Sequence, residues 1–229
     1  MSQKLTILFD LDGTLVNTAQ DLMHAHNYVM KKYGLDEREL SDIKKLAGKG
    51  SKVMLTKSIH QIAELSGKIK KTDDVVEEMT AEFVDYYSKN IFKESTLKKG
   101  VLDFLTWCKE NSISMGVCTN KQEHLAIDLL KKIKIYDFFD YTAGGNTFEF
   151  NKPDPRHLTN AIEIMGGDVK KSLMIGDSET DSNAAKGANI PFVLIEGGYT
   201  EKKVDQIYHN HLVKNFIGLE KIIEKYLND

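Results

Sequence analysis

Cysteine and proline are scarce in this chain, and long apolar runs are missing. The 229 residues include 2 cysteines and 3 prolines. Cys108 and Cys118 are not closely spaced, so they indicate neither a zinc site nor a disulfide framework, and we expect buried thiols in a reducing compartment. Asp10 interrupts the N-terminal apolar run before it reaches signal-peptide length, and no other run approaches a membrane span. We therefore expect a cytoplasmic protein with no membrane partner.

An excess of basic charge is also missing. The 31 basic residues are interspersed with 34 acidic ones, and the net charge is -3. This balance lacks the basic stripe that is typical of nucleic-acid binding, so we expect no nucleic acid as a partner. Hydrophobic residues make up 41% of the chain, which is enough for the core of one large domain or two small ones.

The most informative stretch covers residues 5–16, where an apolar run ends in two carboxylates. Leu5–Phe9 predicts a strand buried on both faces, and Asp10 and Asp12 follow it. Gly13 and Thr14 then turn the chain away. Ligands bind beyond the carboxyl ends of strands in open α/β sheets, so these acids are candidate site residues. Two acids at such a place repel each other unless a cation lies between them or one holds a proton, and catalysis can use either condition.

The next part of the chain has a helical pattern. Thr18 and Asp21 have the spacing of a capping box, and no proline occurs from there to about Asn90. Ser95–Gly100 is polar and turn-like, and we expect it to pair with Val16–Thr18 as a two-stranded hinge. Residues 17–95 are thus predicted to form a helical cap domain, inserted into a core domain of residues 1–16 and 96–229.

Beyond residue 100, helices and strands alternate. This pattern predicts an α/β fold, a Rossmann-like doubly wound parallel sheet with the helical cap inserted after its first strand. We expect Asn120 to be the N-cap of a helix, with Glu123 completing a capping box, and we expect the last strand listed here to be the last core strand. The predicted strands are Ile113–Cys118, Tyr141–Ala143, Ser172–Ile175 and Phe192–Ile195.

Further polar and charged residues follow these predicted strands. Thr119 ends the first of them, and Asp177 and Asp181 come after the third. Lys152 lies in a stretch that contains two of the three prolines, which stiffen the backbone around its amine. Because parallel strands present their carboxyl ends at one edge, we expect all of these residues to meet Asp10 there.

The predicted cluster suits phosphoryl chemistry. Several adjacent carboxylates favour a hard divalent cation such as Mg²⁺, which keeps positions for a substrate phosphate. The metal and Lys152 favour an anion, and Thr119 with the backbone amides of Asn120 and Lys121 at a helix start adds donors for phosphate. Asp10, the first acid after its strand, is the predicted nucleophile. Asp12 would protonate the leaving alkoxide and then take a proton from the attacking water.

The predicted cap contains the loop Gly48-Lys49-Gly50, for which two interpretations stay open. Glycines let a backbone approach closely, so the loop presents a cation or amides to the far end of a small acidic substrate. A plain connection between two helices explains the same residues about as well. We expect Thr14, in the turn after the first acids, to bind substrate as well.

These motifs resemble the four ordered motifs of the haloacid dehalogenase superfamily of hydrolases, and they span nearly the whole chain. The resemblance implies an aspartyl-phosphate mechanism and Mg²⁺ bound by the Asp10 side chain, the Asp12 backbone carbonyl and Asp177, with Asp181 nearby. The matching segments are Asp-Leu-Asp-Gly-Thr-Leu from Asp10, the strand ending in Thr119, Lys152-Pro153, and Gly-Asp-Ser-Glu-Thr-Asp from Gly176.

Within the superfamily, the resemblance favours dephosphorylation, because the dehalogenase and phosphonate-cleaving members lack an acid equivalent to Asp12. Thr14 and Leu22 differ from the aliphatic residue and the cap histidine of the β-phosphoglucomutase branch. The similarity is closest to the phosphoglycolate phosphatase branch, although Asn17 and Gln20 stand where that branch usually has Asp and Pro. The similar segments are Asn17–Leu22, Ala47–Gly50, Gly144-Gly145 and Gly198-Tyr199.

The sequence therefore predicts a Mg²⁺-dependent phosphatase for a small phosphorylated metabolite, with 2-phosphoglycolate as the first candidate. A relative acting on pyrophosphate, a sugar phosphate or a nucleotide is the alternative. A signalling module phosphorylated on aspartate is a more remote one, and Asp12 counts against it because this residue supplies the acid and base that turnover needs. Monomer and homodimer both stay open.

Overall fold

The computed structural model describes residues 4–66 and 72–227. Its larger sheet has six strands in the order β5-β4-β1-β6-β7-β8, and every neighbouring pair is parallel. The strands are β1 (Thr6–Phe9), β2 (Val16–Asn17), β3 (Thr96–Leu97), β4 (Ser114–Cys118), β5 (Tyr141–Ala143), β6 (Ser172–Gly176), β7 (Phe192–Ile195) and β8 (His211–Val213).

Helices connect these strands and fill the segment between β2 and β3. In the segment between β2 and β3 the helices are α1 (Ala19–Lys32), α2 (Leu40–Ala47), α3 (Ser51–Ser66) and α4 (Thr72–Asn90). Those around the larger sheet are α5 (Val101–Glu110), α6 (Glu123–Lys132), α7 (Arg156–Ile164), α8 (Glu179–Gly187) and α9 (Glu220–Leu227). Among the described residues, no helix combines the length and the apolarity that crossing a membrane requires.

β1 lies at the point where the strand order of the sheet reverses. From β1 the chain adds β4 and β5 on one side, then returns to add β6, β7 and β8 on the other. Connections leaving such a point diverge to opposite faces, which opens a crevice beyond the carboxyl ends of the central strands. The fold is thus the predicted α/β doubly wound sheet, and the residues after β1 lie at its crevice.

Both faces of β1 are covered by apolar side chains. Ile7 and Phe9 belong to one buried cluster, and Leu8 belongs to a second cluster on the opposite face. All three side chains are fully buried. The prediction of a strand buried on both faces is confirmed, and this anchoring fixes where the chain emerges at the crevice.

The predicted last core strand, Phe192–Ile195, is followed by an edge strand that the sequence did not indicate. This strand, β8, pairs with β7, with Val193 opposite His211 and Ile195 opposite Val213. This strand lies at the edge, and Leu212 in its middle is 40% exposed. Edge strands are often short and partly polar, which protects a sheet from further pairing. β8 is such a strand, and its sequence therefore lacks the apolar run that would predict it.

A two-stranded antiparallel ribbon connects the segment of α1–α4 to the rest of the chain. Val16 pairs with Leu97 and Asn17 with Thr96, which confirms the predicted pairing of the two connections. The division into a cap of residues 17–95 and a core of residues 1–16 and 96–229 stays a prediction, as does hinge motion at this ribbon.

The predicted capping box at the start of α1 is wrong, although Thr18 does occupy the N-cap position. The Thr18 hydroxyl donates to Asp12 Oδ1 at 2.6 Å instead. The Asp21 carboxylate accepts hydrogen bonds from the backbone N–H groups of Lys93, Glu94 and Ser95. Both side chains have longer-range partners, so their spacing gave the right helix start for the wrong reason.

Candidate active site

The predicted acids meet at the carboxyl edge of the central strands. Asp10 directly follows β1 and is held to β6 by its backbone N–H, which donates to the Ile175 carbonyl at 2.9 Å. Asp177 follows β6, and Asp181 lies in the first turn of α8. The three carboxylates offer oxygen atoms within 4.8 Å of one another, and all three residues are buried.

Lys152 reaches into this cluster as its cation. Its Nζ lies 2.7 Å from Asp10 Oδ1 and 2.6 Å from Asp181 Oδ1, and the residue is 2% exposed. Burial opposes the ammonium charge, but attraction to Asp10 and Asp181 outweighs it, and the pKa of Lys152 is raised. The lysine is thus held protonated beside the predicted nucleophile.

Asp177 and Asp181 are oriented by fixed donors. Asp177 Oδ1 accepts from the Thr14 hydroxyl at 2.7 Å, and its Oδ2 accepts from the Tyr199 backbone N–H at 2.5 Å. Asp181 Oδ2 accepts from the Ser178 hydroxyl and backbone N–H at the start of α8. Such second contacts hold ligand carboxylates in place. The prediction that Thr14 binds substrate stays a prediction, but its hydroxyl is committed to Asp177.

The electrostatics of the cluster suit a divalent cation. Burial raises the pKa of Asp10 well above its usual range, and repulsion from Asp181 and Asp177 adds to this rise, although Lys152 opposes it. Burial and repulsion from Asp181 raise the pKa of Asp177 to about 7. One lysine does not offset three buried carboxylates, and carboxylate oxygens are the ligands that hard divalent cations prefer. Asp10, Asp177 and Asp181 therefore fit such an ion.

Asp12 lies beside this cluster with a different set of partners. Lys121 Nζ is 2.9 Å from both of its carboxylate oxygens, and the Thr18 hydroxyl donates to Oδ1. Its side chain is not part of the cluster of three acids, so any share in metal binding falls to its backbone carbonyl, as the resemblance implies. Asp10 and Asp12 thus have different chemical surroundings, because each pairs with a different lysine.

Lys121 is the residue that the sequence interpretation missed. It follows Thr119 and Asn120 after β4, and the sequence indicates a role for its backbone amide alone. The residue is 8% exposed and its Nζ lies 4.5 Å from the centre of the Tyr87 ring. A lysine three residues after a core strand lies at the ligand-binding edge, and that position was the available signal.

Thr119 and Asn120 lie at the predicted edge, but the helix after them starts later than expected. Thr119 is 1% exposed, and its hydroxyl accepts from the Lys121 backbone N–H at 3.2 Å. The helix α6 begins at Glu123 with Gln122 as its N-cap, so the prediction of Asn120 as N-cap is wrong. Asn120 instead donates from its side-chain nitrogen to the Lys152 carbonyl at 2.9 Å, which ties these two loops together.

The loop between α2 and α3 lies directly against the core. A side-chain carbon added at Gly48 would stand 2.6 Å from the Tyr199 carbonyl oxygen, and one at Gly50 would stand 3.0 Å from the Asn120 carbonyl oxygen. Lys49 Nζ lies 3.5 Å from Glu179 Oε1. The glycines thus permit a close approach between this loop and the crevice. Contact of Gly48, Lys49 and Gly50 with substrate stays a prediction.

A cavity of about 30 Å³ lies between these helices and the crevice. Asp12 and Lys121 contribute from the core side, and Leu22, Met54 and Tyr87 are among the residues contributed by the helical segment. Among the described residues that line it, Asp12 and Lys121 are the two with charged side chains. At about 10–15 Å³ for each water-sized group, a space of this size accommodates about two or three such groups.

The whole of this architecture has relatives among known proteins. The family model described as "Haloacid dehalogenase-like hydrolase" matches residues 7–195. Phosphoglycolate phosphatase of Mesorhizobium japonicum is 34% identical over 93% of this chain and 92% of its own length. The phosphoglycolate phosphatase of Agrobacterium fabrum is also 34% identical, over 95% of this chain and 94% of its own.

A solved structure agrees with the fold in detail. The crystal structure described as a predicted phosphoglycolate phosphatase from Haemophilus somnus superimposes with a TM-score of 0.91 at 27% identity. The match covers 97% of this chain and 99% of that one. Together with the match over residues 7–195, this identifies the protein as a member of the haloacid dehalogenase-like hydrolases.

Proposed function

We propose that this protein is a Mg²⁺-dependent phosphatase that hydrolyses a small phosphate monoester, with 2-phosphoglycolate as its first candidate substrate. The observation that carries the proposal is the arrangement of Asp10 and Asp12 at one strand end, each paired with a different lysine. The names of the two relatives at 34% identity support the choice of substrate.

Asp10 is the proposed nucleophile. Its carboxylate would attack phosphorus and form an aspartyl phosphate while the bond to the leaving oxygen breaks. Lys152, 2.7 Å from Asp10 Oδ1, would neutralise charge on the attacking group and on the phosphoryl oxygens. Because phosphoryl transfer depends chiefly on positioning and charge stabilisation, a fixed lysine at this distance contributes to both.

Asp12 is the proposed acid and base. It would protonate the leaving alkoxide as the aspartyl phosphate forms, and then accept a proton from the water that hydrolyses this intermediate. Thr18 and Lys121 hold its carboxylate in place. A second acid with its own partners is what distinguishes a turnover enzyme from a module that stores phosphate on aspartate.

Asp10, Asp177 and Asp181 would hold the Mg²⁺ ion, with the Asp12 backbone carbonyl as a further candidate ligand. When bound, the ion supplies positive charge to the phosphoryl group. Thr14 and Tyr199 would keep Asp177 oriented for this task. Thr119, buried at the same edge, is the proposed hydroxyl donor to phosphate.

Substrate profiling with purified protein tests this function. We expect phosphate release that requires Mg²⁺, with 2-phosphoglycolate preferred over pyrophosphate, sugar phosphates and nucleotides. If several of these exceed 2-phosphoglycolate by more than about tenfold in kcat/KM, the substrate assignment is wrong while the phosphatase assignment stands. Stoichiometric labelling without turnover would instead support the signalling module.

A further inference from the structure

The cavity beside Asp12 identifies where the organic part of the substrate lies, provided that the proposed function holds. An acid that protonates the leaving oxygen must touch it, so the group attached to that oxygen begins at Asp12. Asp12 lines the cavity, whereas Asp10 and Lys152 do not. The phosphoryl group thus belongs on the Asp10 side, and the leaving group belongs in the cavity.

The lining of the cavity offers hydrogen-bond donors to an anionic group. Lys121 is the only cationic side chain among its described lining residues. Its ammonium group has three donors, so bonds to the two Asp12 oxygens leave one for a ligand. Gly50 and Ser51 also line the cavity at the start of α3, where the first backbone N–H groups of a helix lack internal partners and favour negative charge.

Tyr87 supplies an independent sign that a polar ligand group belongs here. Its side chain lines the cavity and is fully buried, and its hydroxyl has no hydrogen-bond partner among the described residues. Buried hydroxyls are nearly always paired in proteins, so an unpaired one at a cavity indicates a missing partner. A carboxylate oxygen is an acceptor that this hydroxyl can satisfy.

We propose that Lys121 determines substrate specificity by binding the carboxylate of the leaving group, with the Tyr87 hydroxyl and the first amides of α3 completing the subsite. The substrate class is then the phosphate ester of a short hydroxy acid. Lys49, the cation expected from the sequence to face the substrate, pairs with Glu179 and does not line the cavity.

A matched pair of substrates tests this subsite. 2-Phosphoglycolate has a carboxylate at the position where ethyl phosphate has a methyl group. The measurement is the ratio of their kcat/KM values in the wild type and in Lys121→Met, Lys121→Arg and Tyr87→Phe. Because the ratio is taken within each variant, a loss of folded protein cancels. Lys52→Met is the control, since Lys52 is also near the start of α3 but is exposed and pairs with Glu77.

The expected result is a wild type that prefers 2-phosphoglycolate and a ratio that falls about tenfold or more in Lys121→Met, the loss typical of a charge-assisted hydrogen bond. Lys121→Arg should retain part of the preference, Tyr87→Phe should lower it, and Lys52→Met should keep it. An equal loss for both substrates in Lys121→Met would overturn the proposal, since Lys121 would then serve only Asp12.

Two further outcomes count against the inference. A collapse of the ratio in Lys49→Met rather than in Lys121→Met would assign the subsite to the loop between α2 and α3. A wild type that hydrolyses both esters equally would leave the phosphatase function standing and overturn the carboxylate subsite alone. If the wild type released phosphate from neither ester in the presence of Mg²⁺, the proposed function itself would fail, and the inference with it.

Discussion

At the scale of single residues, Asp10 and Asp12 each pair with a lysine of their own. Lys152 lies 2.7 Å from Asp10, and Lys121 lies 2.9 Å from Asp12. Two acids two residues apart therefore have different surroundings, which is how one fold gives a nucleophile and an acid from the same residue type. The cluster of Asp10, Asp177 and Asp181 then carries the excess of negative charge.

Substitution of the two aspartates should separate their roles. Asp10→Asn keeps the shape but removes the nucleophile, so we expect no measurable turnover. Asp12→Ala should slow both formation and hydrolysis of the aspartyl phosphate, by about 10²–10⁴-fold for the loss of acid–base catalysis. Rapid-quench kinetics with Mg²⁺ present measures both steps. Full activity in Asp10→Asn would refute its role as nucleophile.

His157 should make stability depend on pH. It is fully buried, its Nε2 lies 3.1 Å from the Gly144 carbonyl, and burial lowers its pKa to about 4. In the unfolded chain the pKa is about 6.5, so the unfolded state binds the proton first as pH falls. Stability is therefore fully present above about pH 6.5 and is lost as pH falls towards 4.

Chemical denaturation of variants measures this contribution. Between about pH 7 and pH 5, the free energy of unfolding of His157→Gln should fall by about 2 kcal/mol less than that of the wild type. His124→Gln is the matched control, because His124 is exposed, and it should follow the wild type. Equal pH dependence in His157→Gln and the wild type would show that His157 does not contribute.

The individual site residues were predictable from the sequence where a strand end delivers them. Asp10, Thr119 and Asp177 each follow an apolar run directly, and the parallel sheet brings them to one edge. Lys121 was missed because its role depends on a side chain that reaches across to Asp12, 109 residues away in sequence. Its place three residues after β4 indicates the ligand-binding edge, but spacing along the chain does not indicate that its side chain contacts Asp12.

At the scale of elements, Tyr199 connects the loop after β7 to the start of α1. Its hydroxyl accepts hydrogen bonds from the backbone N–H groups of Thr18 and Ala19 at 2.8 and 2.7 Å, and donates to Asn17 Oδ1 at 2.9 Å. The Tyr199 backbone also donates to Asp177. One residue thus couples the edge that carries the acidic cluster to the connection with the helical segment.

Tyr199→Phe should therefore destabilise the protein. Two buried N–H groups lose their acceptor, which costs about 1–3 kcal/mol in free energy of unfolding when such groups stay unpaired. Thermal or chemical unfolding measures the change. Tyr208→Phe is the matched control, since Tyr208 is 46% exposed and its loss should cost under about 0.5 kcal/mol. Equal effects of the two substitutions would contradict the role assigned to Tyr199.

The helices and strands were predictable where apolar periodicity is strong. The prediction failed where tertiary contacts determine the partner of a polar side chain. The core strands β1, β4 and β6 follow from their apolar runs, whereas the edge strand β8 has no such run. Helix caps were predicted less accurately. Thr18 is the N-cap of α1 but its hydroxyl bonds to Asp12, and Asn120 precedes the N-cap of α6 and bonds to the Lys152 carbonyl. A polar side chain with a distant partner mimics a local signal.

At the scale of the whole molecule, the buried acids should make the fold sensitive to divalent cations. Burial and mutual repulsion raise the pKa values of Asp10 and Asp177, so an ion that neutralises the cluster binds the native state and not the unfolded chain. At about 100 times its Kd, such a ligand adds about 2.7 kcal/mol. For a chain of this size, that raises Tm by about 5–10 °C.

Thermal unfolding with and without Mg²⁺ tests this coupling without any substrate. Asp177→Asn removes one ligand charge, so Mg²⁺ should raise the Tm of this variant far less than that of the wild type. Asp154→Asn, at a partly exposed acid that lies outside the cluster and pairs with Arg156, should respond as the wild type does. An equal response of all three proteins would mean that the ion binds elsewhere.

The central claim is that residues far apart in sequence gather so that Asp10 accepts the phosphoryl group, and trapping that group tests it most directly. Asp12→Ala is mixed with Mg²⁺ and 2-phosphoglycolate labelled in its phosphate, quenched in acid, digested and analysed by mass spectrometry. The account predicts label on the peptide that contains residues 5–16, assigned to Asp10 and absent in the Asp10→Asn, Asp12→Ala double variant. Label on any other residue, or label that persists in the double variant, would contradict it.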